Sequence, residues 1–231
     1  STAVLLFITS IALLFIGRCS WKHLAGLFMV TVVAGGLLIG GLYGLQKAGV
    51  DNVLTQRSTT WVNRLTGESE HYQADQSQIA IGTVGFFGRG PGNSIQRNFL
   101  PHPYSDFIFA IIIEEYGIIG GAIVLLLYLA LLYRAVIIVR KCEKAFPAFL
   151  TIGLTISIVF QAIINMMVAV GIGPVTGQPL PLISMGGTSI LFTGIALGII
   201  IGISREIKEQ EEKTIQKGTV AVESEKTAEN N

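Results

Sequence analysis

Residues 107–133, FIFAIIIEEYGIIGGAIVLLLYLALLY, decide the fold. The block holds no proline, and its only charges are Glu114 and Glu115. A helix needs about 20 apolar residues to cross a bilayer, so this block reads as a membrane span. Four more blocks read the same way, over about 1–17, 24–45, 146–172 and 182–203. The composition agrees. Mean hydropathy is +0.62 and 13% of residues are charged, against roughly a quarter in a soluble domain. A net charge of +1 offers no electrostatic footprint for a nucleic-acid partner.

The connections give the expected sidedness. Arg18 and Lys22 lie between the first two blocks; Arg134, Arg140, Lys141 and Lys144 lie between the third and fourth; Arg205 and Lys208 follow the fifth. The connection 173–181 carries no charge. Short basic segments mark the cytoplasmic side, so the loop 46–105 and the 173–181 connection are expected outside. The architecture expected is an all-α polytopic membrane protein with a membrane domain over 1–205 and a long extracytoplasmic loop. A charged cytoplasmic tail, 206–231, is expected to lose order beyond Gly218. The chain begins at Ser1 within an apolar block, without Met or a basic leader. It is therefore read as the C-terminal part of a longer protein rather than as a signal peptide. Cys19 and Cys142 both fall on the side where thiols stay reduced, so no disulfide is expected between them.

Chemistry concentrates at the loop–span boundary. Asp106 stands where the polar stretch LPHPYS meets the third block. An acid at the edge of a span is costly enough to be a functional candidate. Asp is also a preferred helix N-cap, and both readings stand. Glu114 and Glu115 lie deeper. Counted along a helix they fall about 80° and 180° from Asp106, and tying the span to a basic neighbour is as good an account as catalysis. Gln161 and Asn165 share a face of the fourth block, as interhelical hydrogen-bonding groups do. The segment GIGPVTGQPLP, 171–181, cannot be regular helix, and non-helical backbone at this depth needs protein or a wet cavity around it. The glycine-rich run 80–94 lacks the lysine and following hydroxyl of nucleotide-binding loops. No Cys/His cluster has metal-ligand spacing.

Taken in order, these segments resemble the SEDS (shape, elongation, division and sporulation) family of cell-wall glycosyltransferases. The resemblance runs from about Gln76 to Glu206. It rests on Gln76-Ser77, Ala80-Ile81-Gly82, the GPGNSIQ run 90–96, Leu100-Pro101, Asp106 with the FIFA that follows, and Glu114-Glu115. Asn165-Met166, PVTG at 174–177, Leu180-Pro181, Ser184 and Gly186-Gly187 complete it. The GPGNSIQ and PVTGQPLP runs are closer to the family's division member than to its elongation member. The resemblance implies a ten-span fold of which these five are the last half, and an activity that polymerises lipid II into glycan during septal wall synthesis. It implies a class B penicillin-binding transpeptidase and other divisome proteins as partners, in the bacterial cytoplasmic membrane. The family acid maps to Asp106, although Tyr104 and Ser105 stand where the family motif has His and Thr, and Arg97 where Lys is usual. Arg57, Arg64, Arg89 and Arg97 become candidates for the diphosphate leaving group, or else solvated loop charges. Gln76, Asn93, Ser94, Gln96 and Ser184 become candidate substrate contacts. Neither composition nor spacing shows a cofactor, and a divalent cation would have to assist without a visible ligand set. A lipid II transporter and a non-catalytic scaffold are the competing classes. A transporter usually places polar groups near mid-membrane, whereas the key acid here sits at the surface.

Overall fold

A computed structural model of the chain describes residues 2–47, 71–100, 103–173 and 175–229. The described residues form six α-helices: α1 (Thr2–Ile16), α2 (Trp21–Lys47), α3 (His71–Gly82), α4 (Ile108–Lys141), α5 (Ala145–Ala169) and α6 (Gly187–Glu229). A short 3₁₀ turn, Gln96–Asn98, lies between α3 and α4. No strand occurs among the described residues. Helices α2, α4, α5 and α6 are long and apolar enough to cross a membrane. Helix α1, from the first block, is a shorter apolar helix of 15 residues.

Helix α5 is the hub. It packs against α1, α3, α4 and α6, and 56% of its apolar span is buried against 17% for α4. The reason lies in its spacing. Ile158, Ala162, Met166 and Ala169 recur every three or four residues and line one face. On α4 the facing residues are Ala110, Ile113, Val124 and Tyr128, at the same kind of spacing. Ala162 and Ala110 are fully buried, and such small side chains let membrane helices approach closely. Helix α1 crosses α5 at Gly153, where an added Cβ would lie 3.0 Å from Leu13 Cδ1. By contrast α2 leaves Trp21, Met29, Val30 and Leu37 exposed, as a helix facing lipid or further protein does.

Three boundaries differ from the sequence expectation. The loop 46–105 holds α3, whose Ser77 and Ala80 are buried on one face; Ser77 Oγ donates to Ala169 O at 2.6 Å and fastens α3 to the end of α5. The last span starts at Gly187 rather than Leu182, because Pro179 and Pro181 keep 175–186 out of helical geometry. The tail beyond Gly218, expected to be disordered, continues α6 to Glu229. No proline or glycine after Gly218 interrupts it, and α6 is fixed upstream to α4 by Lys141 Nζ, 3.1 Å from Glu211 Oε1. Cys19 and Cys142 are free thiols; partial burial, with Glu206 nearby, raises the pKa of Cys142.

Helix α4 is broken once, and the break has a partner. Gly117 has φ 72° and ψ −172°, a backbone open to glycine and strained for other residues. The interruption removes the regular helical acceptors' partners at 114 and 115, whose carbonyls would take amides four residues on. Instead Glu114 O accepts from Arg89 N and Glu115 O from Gly90 N, both at 2.9 Å. The approach is close enough that a Cβ on Gly117 would stand 2.1 Å from Phe86 O. Gly117→Ala is therefore expected to destabilise the protein by about 2–4 kcal/mol. Gly198→Ala, where an added Cβ meets nothing within 4 Å, should leave thermal unfolding in detergent unchanged.

Candidate active site around Asp106

The segment before α4 is held by its own backbone carbonyls. Tyr104 O accepts from Met185 N at 2.9 Å, Ser105 O from Ser184 Oγ at 2.5 Å, and Asp106 O from Asn165 Nδ2 at 2.8 Å. Three consecutive carbonyls thus meet donors from α5 and from the turn ahead of α6. Phe107, 1% exposed, packs with Leu100 and Val168 and anchors the next position.

The segment 175–186 is held by the same device. Gln178 O accepts from Asn165 Nδ2 at 2.7 Å, Pro179 O from Gln161 Nε2 at 2.9 Å, and Pro181 O from the Tyr128 hydroxyl. Ser184 Oγ also accepts from Leu180 N at 2.7 Å. Gln161 and Asn165, one helical turn apart and expected to bond between helices, instead reach successive parts of one non-helical run. Asn165 does most, because one amide nitrogen joins Asp106 to Gln178 across two segments. An unsatisfied buried carbonyl costs about 1–3 kcal/mol, so these side chains determine where both segments lie.

The Asp106 carboxylate is half-buried. Its Oδ1 accepts from Ser105 Oγ at 2.8 Å, so the hydroxyl standing where the family motif has Thr supports the acid directly. Among the described residues Oδ2 accepts no hydrogen bond. It faces the backbone of Gly177, where a Cβ would lie 3.7 Å away; Gly177 has φ 62°, so the turn keeps a side chain off the acid. Asp106 does not cap α4. The N-cap is Phe107, with no side-chain cap bond, and the helix starts too late for the Asp106 side chain to serve its first amides. The angular comparison with Glu114 and Glu115 lapses for the same reason.

A second cluster forms around Glu114, fully buried. Its carboxylate accepts from Ser94 Oγ at 2.5 Å and from the amides of Ile95 at 3.0 Å and Gln96 at 3.3 Å. Arg89 Nε lies 3.9 Å from Oε1. Asn93 Nδ2 donates to Arg89 O at 3.2 Å, and Arg97 N to Ser94 Oγ at 3.2 Å. Glu115 contributes only its carbonyl. Ser94 and Ser184, expected to touch substrate, are 4% and 2% exposed with hydroxyls occupied inside the fold, so both are structural. Gln76 is half-buried on α3. Arg57 and Arg64 fall outside the described residues. No hydrogen bond or ion pair joins the Glu114 cluster to the Asp106 side chain among the described residues, and none of their His, Cys, Asp and Glu side chains gather as metal ligands. Tyr128 escaped the sequence reading; a tyrosine alone in the run LLLYLALL signalled a hydroxyl in need of a partner.

A family model described as "Cell cycle protein", covering FtsW, RodA and SpoVE, matches residues 1–209. The chain belongs to this family. The probable peptidoglycan glycosyltransferase FtsW of Aliivibrio salmonicida (strain LFI1238) is 37% identical over 216 residues, which cover 90% of this chain and 51% of that protein. Stage V sporulation protein E of Bacillus subtilis (strain 168) is 34% identical over 199 residues, 85% of this chain and 52% of that one. The chain thus spans about half the length of these FtsW/RodA/SpoVE relatives. A chain from the structure "Structural coordination of polymerization and crosslinking by a peptidoglycan synthase complex" shares the fold, with a TM-score of 0.63 and 24% identity over 89% of this chain and 55% of that one. The SEDS resemblance is shown, and with it an all-helical, multi-pass membrane protein.

Asn165→Ala should free both carbonyls that its amide now holds. The expected cost is about 2–4 kcal/mol, with faster hydrogen exchange at both 104–107 and 176–180. Faster exchange at one segment alone would contradict the bridging role.

Proposed function

We propose that this chain carries the catalytic carboxylate, acting as a general base, of a peptidoglycan glycosyltransferase that polymerises lipid II at the outer face of the bacterial cytoplasmic membrane, in septal wall synthesis. The observation that carries the reading is the Asp106 carboxylate: its backbone is pinned, Oδ1 is held by Ser105, and Oδ2 accepts no hydrogen bond among the described residues. The printed names of the FtsW relatives supply the reaction class. The basic connections at Arg18 and Lys22, at 134–144 and at Arg205 and Lys208 support an inward C-terminus and an outward Asp106. A class B transpeptidase is the proposed partner, by analogy with a relative in a complex that couples polymerisation to crosslinking.

In this mechanism the 4-hydroxyl of one sugar attacks the anomeric carbon of another. Asp106 Oδ2 takes the hydroxyl proton as the new C–O bond forms, and the bond to undecaprenyl diphosphate breaks with its electron pair on the leaving oxygen. A single displacement requires no enzyme nucleophile. Diphosphate leaves readily without a proton, so its charge calls for cations. Arg97, Arg57 and Arg64 are the candidates, while Arg89 is engaged beside Glu114.

The test is glycan synthesis from lipid II by the full-length protein with its transpeptidase partner. Asp106→Asn should lower the rate at least about 100-fold and leave lipid II binding within about threefold. Polymerisation at the normal rate would overturn the enzyme reading, and lipid II translocation by that variant would favour the transporter.

A further inference from the structure

At the end of the bundle away from Asp106, α4 and α6 enclose a cavity of about 90 Å³. Three cations line it, Arg134 and Lys141 from α4 and Lys208 from α6, together with the hydroxyl of Ser204. The rest of its wall is Ile137, Ile138 and Ile207. No acid lines it. Lys141 is paired with Glu211 at 3.1 Å, but among the described residues Arg134 and Lys208 have no carboxylate within 4.0 Å. Of the other acids on α6, Glu209 bonds Arg205 at 2.9 Å, and Glu206 lines a separate cavity with Cys142 and Lys144. The larger neighbouring cavity is lined by one cation, Lys141, and two acids, Glu143 and Glu211, a balance unsuited to an anion.

The cavity also sits at an informative depth. Arg134 lies roughly 39 Å along α4 from Ile108, and Lys208 roughly 32 Å along α6 from Gly187. An apolar core of about 30 Å ends just short of both, which puts the cations at headgroup level and the isoleucines against the first acyl carbons. Cations alone would suit any phosphate. A wall half cationic and half apolar suits an amphiphile, and basic pockets between membrane helices on this kind of face bind anionic headgroups.

We infer that this cavity binds the phosphate headgroup of an anionic phospholipid, with Arg134 and Lys208 on the phosphate and the three isoleucines on the start of the acyl chain. An occupant there clamps the far ends of α4 and α6, the two helices whose near ends follow Asp106 and the 175–186 segment.

The test is thermal unfolding of the full chain in neutral detergent, titrated with phosphatidylglycerol, phosphatidylcholine or inorganic phosphate. Phosphatidylglycerol should raise the unfolding temperature saturably, and the other two should not. Arg134→Gln with Lys208→Gln should weaken the apparent phosphatidylglycerol affinity about thirtyfold. Arg134→Lys with Lys208→Arg, which keeps both charges, should stay within about threefold and guards against a folding defect. Arg18→Gln with Lys22→Gln, which removes two cations from another connection, should leave the affinity unchanged. Equal stabilisation by phosphatidylcholine or by inorganic phosphate would overturn the inference. An equal loss in the Arg18/Lys22 variant would overturn it too, because the attraction would then be diffuse.

Discussion

Backbone carbonyls that leave helical geometry inside an apolar bundle must find donors, and the structure around Asp106 depends on how they do. Asn165 is the central donor. Its amide nitrogen serves Asp106 O and Gln178 O at 2.8 and 2.7 Å, so one side chain of the most buried helix sets the relation between two irregular segments. Gln161, Tyr128 and Ser184 extend the arrangement to Pro179, Pro181 and Ser105. Prolines and glycines break the backbone around Asp106, and the polar side chains Tyr128, Gln161 and Asn165 of α4 and α5 hold the broken pieces.

The same logic recurs at the Glu114 cluster, with the roles exchanged. There a carboxylate accepts the amides of a loop, and the Gly117 break frees two carbonyls for Arg89 and Gly90. One buried acid is saturated by its surroundings and the other is left with an open oxygen. That contrast separates the two carboxylates physically: Glu114 organises the fold, and Asp106 keeps a lone pair available for a proton.

Much of this was legible in the chain. The apolar blocks announced α2, α4, α5 and α6 because span length is a physical requirement of the bilayer. Asp106 drew attention because an acid at such a boundary is expensive, and Gln161 with Asn165 because helical spacing puts them on one face. The reading failed where it needed distances. A cap and a residue two positions outside the helix differ by less than the uncertainty of a sequence-read boundary, so Asp106 could not be told from an N-cap. Ser94 and Ser184 looked like substrate groups because a hydroxyl in a glycine-rich or proline-rich run carries no mark of burial. Helix α3 was hidden because its buried face amounts to little more than Ser77 and Ala80, too weak a periodicity against 12 largely polar residues.

The central claim is that an immobilised Asp106 carboxylate receives the proton of the attacking hydroxyl. The most direct measurement is the pH dependence of glycan polymerisation by the full-length protein with its partner, compared with the residual activity of Asp106→Asn. The account predicts that the wild-type rate falls on the acid side with a one-proton slope, and that this limb is missing from the Asn variant. An acid limb of the same slope and position in the variant would contradict it, because the titrating base would then be another group.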